Sequence, residues 1–257
     1  MTNITRDYVL SLLDKGFRLD ERKLDEYRNI KVEYGISSRS AEGSAKVTIG
    51  KTEVVAGVKL EIGEPYSDKP DEGSIMINME LLPFSNPEFE SGPPSIASIE
   101  ISRVVDRAIR EGHALNFKKL CIKSGEKMWM VIVDIYPLND EGNLFDAASL
   151  AALAAIKDAK FPKIENDKVN YSEKTKQSLP LEHLPLSCTV LKIGNHFVID
   201  PLPEEEKAVD ARLTIGVLDN GEVCSLQKGE DSGLSIQDIK EMVGLAVKKT
   251  KELRKAL

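Results

Sequence analysis

Met128-Trp129-Met130-Val131-Ile132-Val133-Asp134-Ile135-Tyr136 leads through Asp140-Glu141-Gly142-Asn143 into the almost wholly apolar stretch from Ala147 to Ile156. This part of the chain decides its fold. The pattern predicts a buried strand, a turn and a buried helix. A strand, a glycine-containing turn and a helix start are also the parts of an anion cradle, where free backbone N–H groups and the helix dipole face a phosphate. The side chains contradict that framework. Asp140, Glu141 and Asp146 stand at the turn, and residues 140–146 include no Lys or Arg. The backbone suits phosphate while its side chains repel it.

Upstream, Ile4 to Lys15 reads as an amphipathic helix with Tyr8, Leu12 and Lys15 on one side and Gly16 at its end. A charged connector follows from Arg18 to Arg28. Strands are expected at Ile30–Tyr34, Ser44–Ile49, Glu53–Glu61 and Ser74–Leu82, with Gly50-Lys51 forming a tight hairpin. The proline-bearing stretch from Pro83 to Pro94 reads as a loop. Ser95 to Glu111 reads as a helix with Ile96, Ile99, Val104, Ala108 and Ile109 on its apolar face, ended by Gly112.

Downstream, Pro162 to Pro185 is long, charged and poorly periodic, which places a boundary between two halves there. Strands then resume at Ser187–Ile193 and Phe197–Asp200. A second pair, Arg212–Leu218 and Glu222–Leu226, flanks the hairpin signal Asp219-Asn220-Gly221. A last helix starts at Ile236, with Ser235 and Asp238 as its capping pair and Ile236, Ile239, Val243, Ala246, Val247 and Leu253 as its stripe. Each half therefore reads as strands followed by helix. Tight hairpins argue for a duplicated β-then-α unit of the α+β class rather than a doubly wound sheet.

The 257 residues carry 35 basic and 42 acidic side chains, a net charge of −7, so bulk attraction to nucleic acid is excluded and any such contact needs a local basic cluster. Cys121, Cys188 and Cys224 are scattered, and His113, His183 and His196 show no ligand spacing, which disfavours a disulfide framework or structural zinc. No signal-like segment or membrane-length apolar run is visible, and a cytoplasmic location is expected.

Several motifs fall in a recognisable order. Gly16-Phe17-Arg18-Leu19-Asp20-Glu21-Arg22 resembles the entry motif of RNase PH-like proteins, Gly43-Ser44-Ala45 with Gly50, Thr52 and Val54 resembles their first hairpin, and Glu100-Ile101-Ser102-Arg103 precedes the Trp129 strand as it does in them. The resemblance implies RNase PH-like duplicated β-then-α units (ribosomal protein S5 domain 2-like) packed in one compact body. Its divisions would be an N-terminal helix and connector at 1–28, a first subdomain at 29–165, a linker at 166–185 and a second subdomain at 186–257. Within the family, Val104-Val105-Asp106-Arg107 and Asp200-Pro201-Leu202-Pro203-Glu204-Glu205-Glu206 are most similar to the non-catalytic ring subunits of the archaeal exosome. This implies an alternating hetero-hexameric ring with a catalytic RNase PH-like subunit, RNA-binding cap subunits, and single-stranded RNA degraded from its 3′ end with inorganic phosphate and Mg2+.

Departures from the catalytic pattern carry the functional expectation. Where catalytic relatives have a Gly-Thr/Ser-Arg phosphate motif, this chain has Gly142-Asn143-Leu144. Where they have two adjacent arginines gripping RNA, it has Ile96 and Ala97, which cannot neutralise phosphate oxygens. Of their two aspartates six apart, Asp210 is matched and its partner aligns with Glu204, a longer carboxylate. The expectation is a chain with no catalytic residue, no metal and no cofactor of its own. The rival is an active phosphorolytic exoribonuclease using Asp210, Glu204 and the N–H groups around Gly142.

Arg103, Arg107 and Arg110 recur at i, i+4 and i+7 on one helix face. Spacing alone fits a solvated face balanced by Glu100, Asp106 and Glu111. The resemblance favours RNA contact for Arg103 and Arg107, while Arg110 can pair with Asp106. Arg18, Asp20 and Arg22 read as a structural ion-pair network, Trp129 as core or interface packing, and the Glu204-Glu205-Glu206 run as a solvated acidic loop.

Overall fold

The computed structural model describes residues 3–165 and 168–257. The first half builds a six-stranded sheet from β1 (Ile30–Tyr34), β2 (Gly43–Ile49), β3 (Thr52–Gly63), β4 (Ser74–Met79), β5 (Cys121–Lys123) and β6 (Lys127–Asn139), in the order β1-β2-β3-β6-β4 with β5 paired to β6. β4 runs parallel to β6, and the other pairs are antiparallel. The Met128 strand is thus the spine of the sheet. Its alternate residues Val131, Val133 and Ile135 are fully buried, and Asp134, on the other face, accepts from Asn78 Nδ2 at 3.0 Å.

The second half has a four-stranded antiparallel sheet, β10-β9-β11-β12, made of β9 (Leu186–Ile193), β10 (His196–Ile199), β11 (Ala211–Val217) and β12 (Val223–Gly229). The helices are α1 (Asn3–Leu13), α2 (Ile96–Glu111), α3 (Leu144–Asp158), the single turn α4 (Pro203–Glu206) and α5 (Ile236–Arg254). α2 packs on β4 and reaches β12, and α5 covers β9 and β11. The α+β class and the strands-then-helix order of both halves follow the sequence pattern.

α3 lies between the two sheets, packed on β2, β3 and β6 of one and on β9 of the other. Leu150, Leu153 and Ile156 are fully enclosed, and a side chain of that size contributes about 1.5–3 kcal/mol when buried. Small residues let the sheets approach. A Cβ added to Gly43 on β2 would stand 2.4 Å from the Ala155 carbonyl oxygen, so strand and helix backbones are nearly in contact.

Four expectations need correction. The 162–185 stretch is no irregular linker: β7 (Lys160–Glu165) and β8 (Lys168–Ser178) pair as an antiparallel ribbon, while residues 166 and 167 lie outside those described. The ribbon is mostly exposed and its register shifts on both sides of Pro162, so no buried face imposes a period of two. α1 buries Val9 and Leu13 and leaves Tyr8 exposed, because that face meets Leu191, Ile193 and Val198. The starts of α2 and α5 overhang the core, leaving Ile96 87% and Ile236 76% exposed, and α2 buries Ile101 and Val105 instead. Finally, the acidic run is the short helix α4, with Glu205 wholly buried.

Candidate functional site

The turn between β6 and α3 is held by left-handed backbone at Gly142 (φ 84°) and Asn143 (φ 63°). Only glycine fits at 142, since a Cβ there would lie 2.4 Å from the Pro201 carbonyl oxygen. Asn143, buried at the N-terminus of α3, tolerates the conformation better than most residues. The cradle foreseen from the sequence exists, but the chain fills it. Glu141 N–H donates to Thr52 Oγ1 at 3.1 Å, Gly142 N–H to Asp140 Oδ1 at 3.0 Å, and Asn143 N–H to Glu206 Oε1 at 2.8 Å.

Cations also stand at the turn, supplied from elsewhere in the chain. Arg28 donates to the Glu141 carbonyl at 2.6 Å and the Gly142 carbonyl at 3.1 Å, and grips both Asp200 oxygens at 2.7 and 2.9 Å. Arg22 pairs with the same Asp200 at 2.9 Å. Arg18 forms a wholly buried two-pronged pair with Glu205 at 2.9 and 2.5 Å, as expected of a structural network. Arg212 pairs with Glu100 at 2.5 Å and lies over the Phe145 ring at 4.0 Å. Each inward arginine is already committed to a carboxylate of the same chain.

The carboxylates titrate accordingly. Burial pushes the Asp200 carboxyl up, but hydrogen bonds and charge from Arg28 outweigh it and hold the group below the usual range. Burial raises Glu206 to about 7, helped by neighbouring Asp140 and opposed by the Asn143 N–H, Arg28 and Arg212. Asp146 is also raised to about 7 by burial, although it accepts from Tyr27 Oη at 2.7 Å and Thr189 N–H at 2.8 Å. These last two bonds tie α3 to the connector and to β9.

The acidic pair on which the rival reading relies, Asp210 and Glu204, is not brought together at the turn. Asp210 accepts from Arg6 at 2.7 Å and from the Gly194 N–H at 2.6 Å, beside α1, and Glu204 is exposed on α4. Asn143, whose Nδ2 also donates to Asp146 at 3.3 Å, draws together two carboxylates of the second half, Asp200 at 2.9 Å from Nδ2 and Glu206 on its N–H. They too are six apart, in the run Asp200-Pro201-Leu202-Pro203-Glu204-Glu205-Glu206, so spacing was the signal that reading Asp210 as the anchor missed. Among the described residues no group of three or more His, Cys, Asp or Glu side chains gathers to hold a metal ion.

Arg103 and Arg107 are exposed on the outer face of α2. Arg107 donates to Gln227 Oε1 on β12 at 3.1 Å, and Arg103 has no hydrogen-bond or ion-pair partner among the described residues. The local carboxylates do not balance them: Glu100 turns to Arg212, and Asp106 pairs with Arg110 at 2.8 Å. Ile96 and Ala97 lie exposed at the start of the same helix. Trp129 is 6% exposed and packs on Phe161 with ring centroids 5.7 Å apart, a core role.

Two β-then-α halves joined over a buried α3, with a glycine turn aimed at an acidic pair, define an RNase PH-like protein. Residues 26–162 match domain 1 and residues 183–249 match domain 2 of the 3′ exoribonuclease family, and the chain belongs to that family. It is 44% identical over 252 residues to a protein named exosome complex component Rrp42 from Methanothermobacter thermautotrophicus, covering 97% of this chain and 93% of that one. It is 42% identical to the protein of the same name from Methanopyrus kandleri, covering 100% and 97%. A solved structure of the Archaeoglobus fulgidus exosome with RNA bound to the active site contains a chain that superposes with a TM-score of 0.91 at 42% identity, over 98% of this chain and 97% of that one. A chain of an archaeal exosome core superposes at 0.86 with 41% identity, over 98% and 95%. No helix among the described residues is long and apolar enough to cross a membrane.

Proposed function

We propose that this chain is the non-catalytic subunit of an archaeal exosome ring. It alternates with a catalytic RNase PH-like subunit in a hetero-hexamer and helps present single-stranded RNA to that subunit's active site. RNA-binding cap subunits complete the assembly, which works in the cytoplasm. Inorganic phosphate and Mg2+ serve the partner's site and are not bound here.

The observation that carries this reading is the filled cradle. Phosphorolysis brings orthophosphate beside a polyanion, and cations must cancel the charge where the two meet. Here the N–H groups of Glu141, Gly142 and Asn143 already bond to Thr52, Asp140 and Glu206, and Arg22, Arg28 and Arg212 already pair with Asp200 and Glu100. Ile96 and Ala97 add no charge at the helix start. Arg103 and Arg107, by contrast, are exposed and lack a balancing carboxylate, as an RNA-backbone contact requires.

The test supplies the purified chain with labelled RNA, Mg2+ and orthophosphate, alone and after assembly with the catalytic partner. The expected result is nucleoside diphosphate release only from the assembled ring. Rapid release by the isolated chain establishes the rival reading of an active exoribonuclease.

A further inference from the structure

The β7–β8 ribbon concentrates free positive charge in a chain whose net charge is −7. Lys160 on β7 stands opposite Ser178, and Lys174 and Lys176 precede Ser178 on β8. Lys174 Nζ donates to the Ser38 and Ala41 carbonyls at 2.8 and 2.5 Å, which ties the turn between β1 and β2, with Arg39, to the ribbon. All four cations are exposed. Arg39, Lys160 and Lys176 have no hydrogen-bond or ion-pair partner among the described residues, and Lys174 has only those two carbonyls. The carboxylates nearby do not answer them. Glu42 is buried and pairs with Lys59 at 3.0 Å, Glu165 and Glu173 both pair with Lys163, at 2.7 and 3.1 Å, and Glu61 near Tyr171 is left unpaired. Tyr171 belongs to the same ribbon. Lys59 Nζ stands 4.7 Å from its ring centroid, and the residue is still 42% exposed. Lysines that guard a free strand edge explain charge on a ribbon, but not why Arg39 of another turn and an exposed aromatic ring share the patch. Cations that follow a phosphate backbone beside a ring that takes a base are what a single-stranded nucleic acid requires.

We propose that this patch is a second surface for single-stranded RNA: Arg39, Lys160, Lys174 and Lys176 hold the phosphate backbone, and Tyr171 stacks a base. α3 keeps it apart from the cradle. That helix starts at the cradle turn and ends at Asp158, two residues before Lys160, and its 15 residues span about 22 Å. The patch therefore acts on affinity for the strand and not on the cleavage step. The inference goes beyond the non-catalytic reading and does not depend on it, because an RNA surface here serves a chain of either kind.

Binding of a fluorescent oligouridine to the full chain is followed by anisotropy over a range of salt concentrations, with Arg103 and Arg107 intact. The chains compared are wild type, the double variant Lys160→Gln, Lys176→Gln, the quadruple variant that adds Arg39→Gln and Lys174→Gln, and Tyr171→Ala. The double variant should weaken binding about tenfold at low salt and reduce the log–log salt slope by about 1.4, and the quadruple variant should reduce that slope by about 2.8. Tyr171→Ala should weaken binding about fivefold or more and leave the slope unchanged. Circular dichroism checks folding. Lys160 and Lys176 bond to nothing described in the fold, so the double variant decides alone if the quadruple one unfolds. No binding by wild type at low salt, or wild-type affinity and slope in every folded charge variant, overturns the proposal and leaves the lysines as edge guards. Unchanged RNA binding together with failed assembly with the catalytic partner, read by size-exclusion chromatography, also overturns it and marks the patch as a protein contact. The non-catalytic reading keeps its own assay, since only diphosphate release from RNA by the isolated wild-type chain refutes that.

Discussion

Arg28 and Arg103 are both cations of one acidic protein, and their surroundings are opposite. Arg28 lies against the α3 turn with its donors on Asp200 and on the Glu141 and Gly142 carbonyls. Arg103 stands exposed on α2, with no hydrogen-bond or ion-pair partner among the described residues. The difference separates architecture from function. An inward arginine holding carboxylates organises the fold and cannot be taken over by phosphate without breaking an ion pair. An outward arginine without a carboxylate is available to a polyanion, at little cost to stability.

The most severe way to probe the inward side is Arg18→Met. It leaves Glu205 buried without its cation, and breaking such a pair costs about 3–5 kcal/mol, so chemical denaturation should show a chain near the limit of folding. A loss under 1 kcal/mol would mean that the inward network is dispensable. The outward side is probed by the double variant Arg103→Glu, Arg107→Glu. Its own stability should change by no more than about 0.5 kcal/mol, as is usual for surface sites. Assembly, read by size-exclusion chromatography, should persist, while RNA degradation by the assembled ring falls about tenfold at low salt, less so as salt rises. Unchanged turnover at every salt concentration would remove the RNA role of the pair.

A finer prediction concerns pH. Glu206 and Asp146 hold their protons in the folded state up to about 7, well above the usual carboxylate range. The folded chain therefore binds more protons than the unfolded chain between about pH 4 and 7, and these two groups make stability fall as pH rises through that window. Asp200 and Asp238 act in the other direction, since their lowered values remove stability as pH falls, Asp238 between about pH 4 and about 2. Glu206→Gln should flatten the decline between pH 5 and 7 by about 1–3 kcal/mol. A variant with the wild-type slope would show that Glu206 is ionised normally. The smallest effect belongs to Gln227→Leu, which frees Arg107 from its only described hydrogen bond and should shift the melting temperature by about a degree or less while leaving RNA turnover in the ring unchanged.

The legible and illegible parts of the chain divide on similar lines. Segments buried on a whole face announced themselves: β6, α3 and the hairpins at Gly50 and Asn220 follow from local composition and period. The start of α3 was harder, because Leu144 joins a helix whose pattern is clear only from Ala147. The β7–β8 ribbon lacked a buried face and so gave no period. Ile96 and Ile236 match a helical stripe, yet sequence does not say where a helix outruns the sheet beneath it.

At the site, the acidic turn and the charge on α2 could be read from local residues. The filling of the cradle could not, because Thr52, Glu206 and Arg28 come from 63 to 114 residues away from the positions they meet. The sequence rule that the turn lacks basic residues held for residues 140–146, while the folded turn is flanked by arginines that other carboxylates neutralise. Only the tertiary pairing distinguishes an absent cation from an occupied one.

The central claim is that this chain's α3 cradle belongs to its own side chains. Crystallography of the assembled ring soaked in orthophosphate tests it most directly. Density should show Glu206 still on the Asn143 N–H, with phosphate confined to the catalytic partner. Orthophosphate clamped here by Arg28 or Arg212, with Glu206 displaced, would contradict the account.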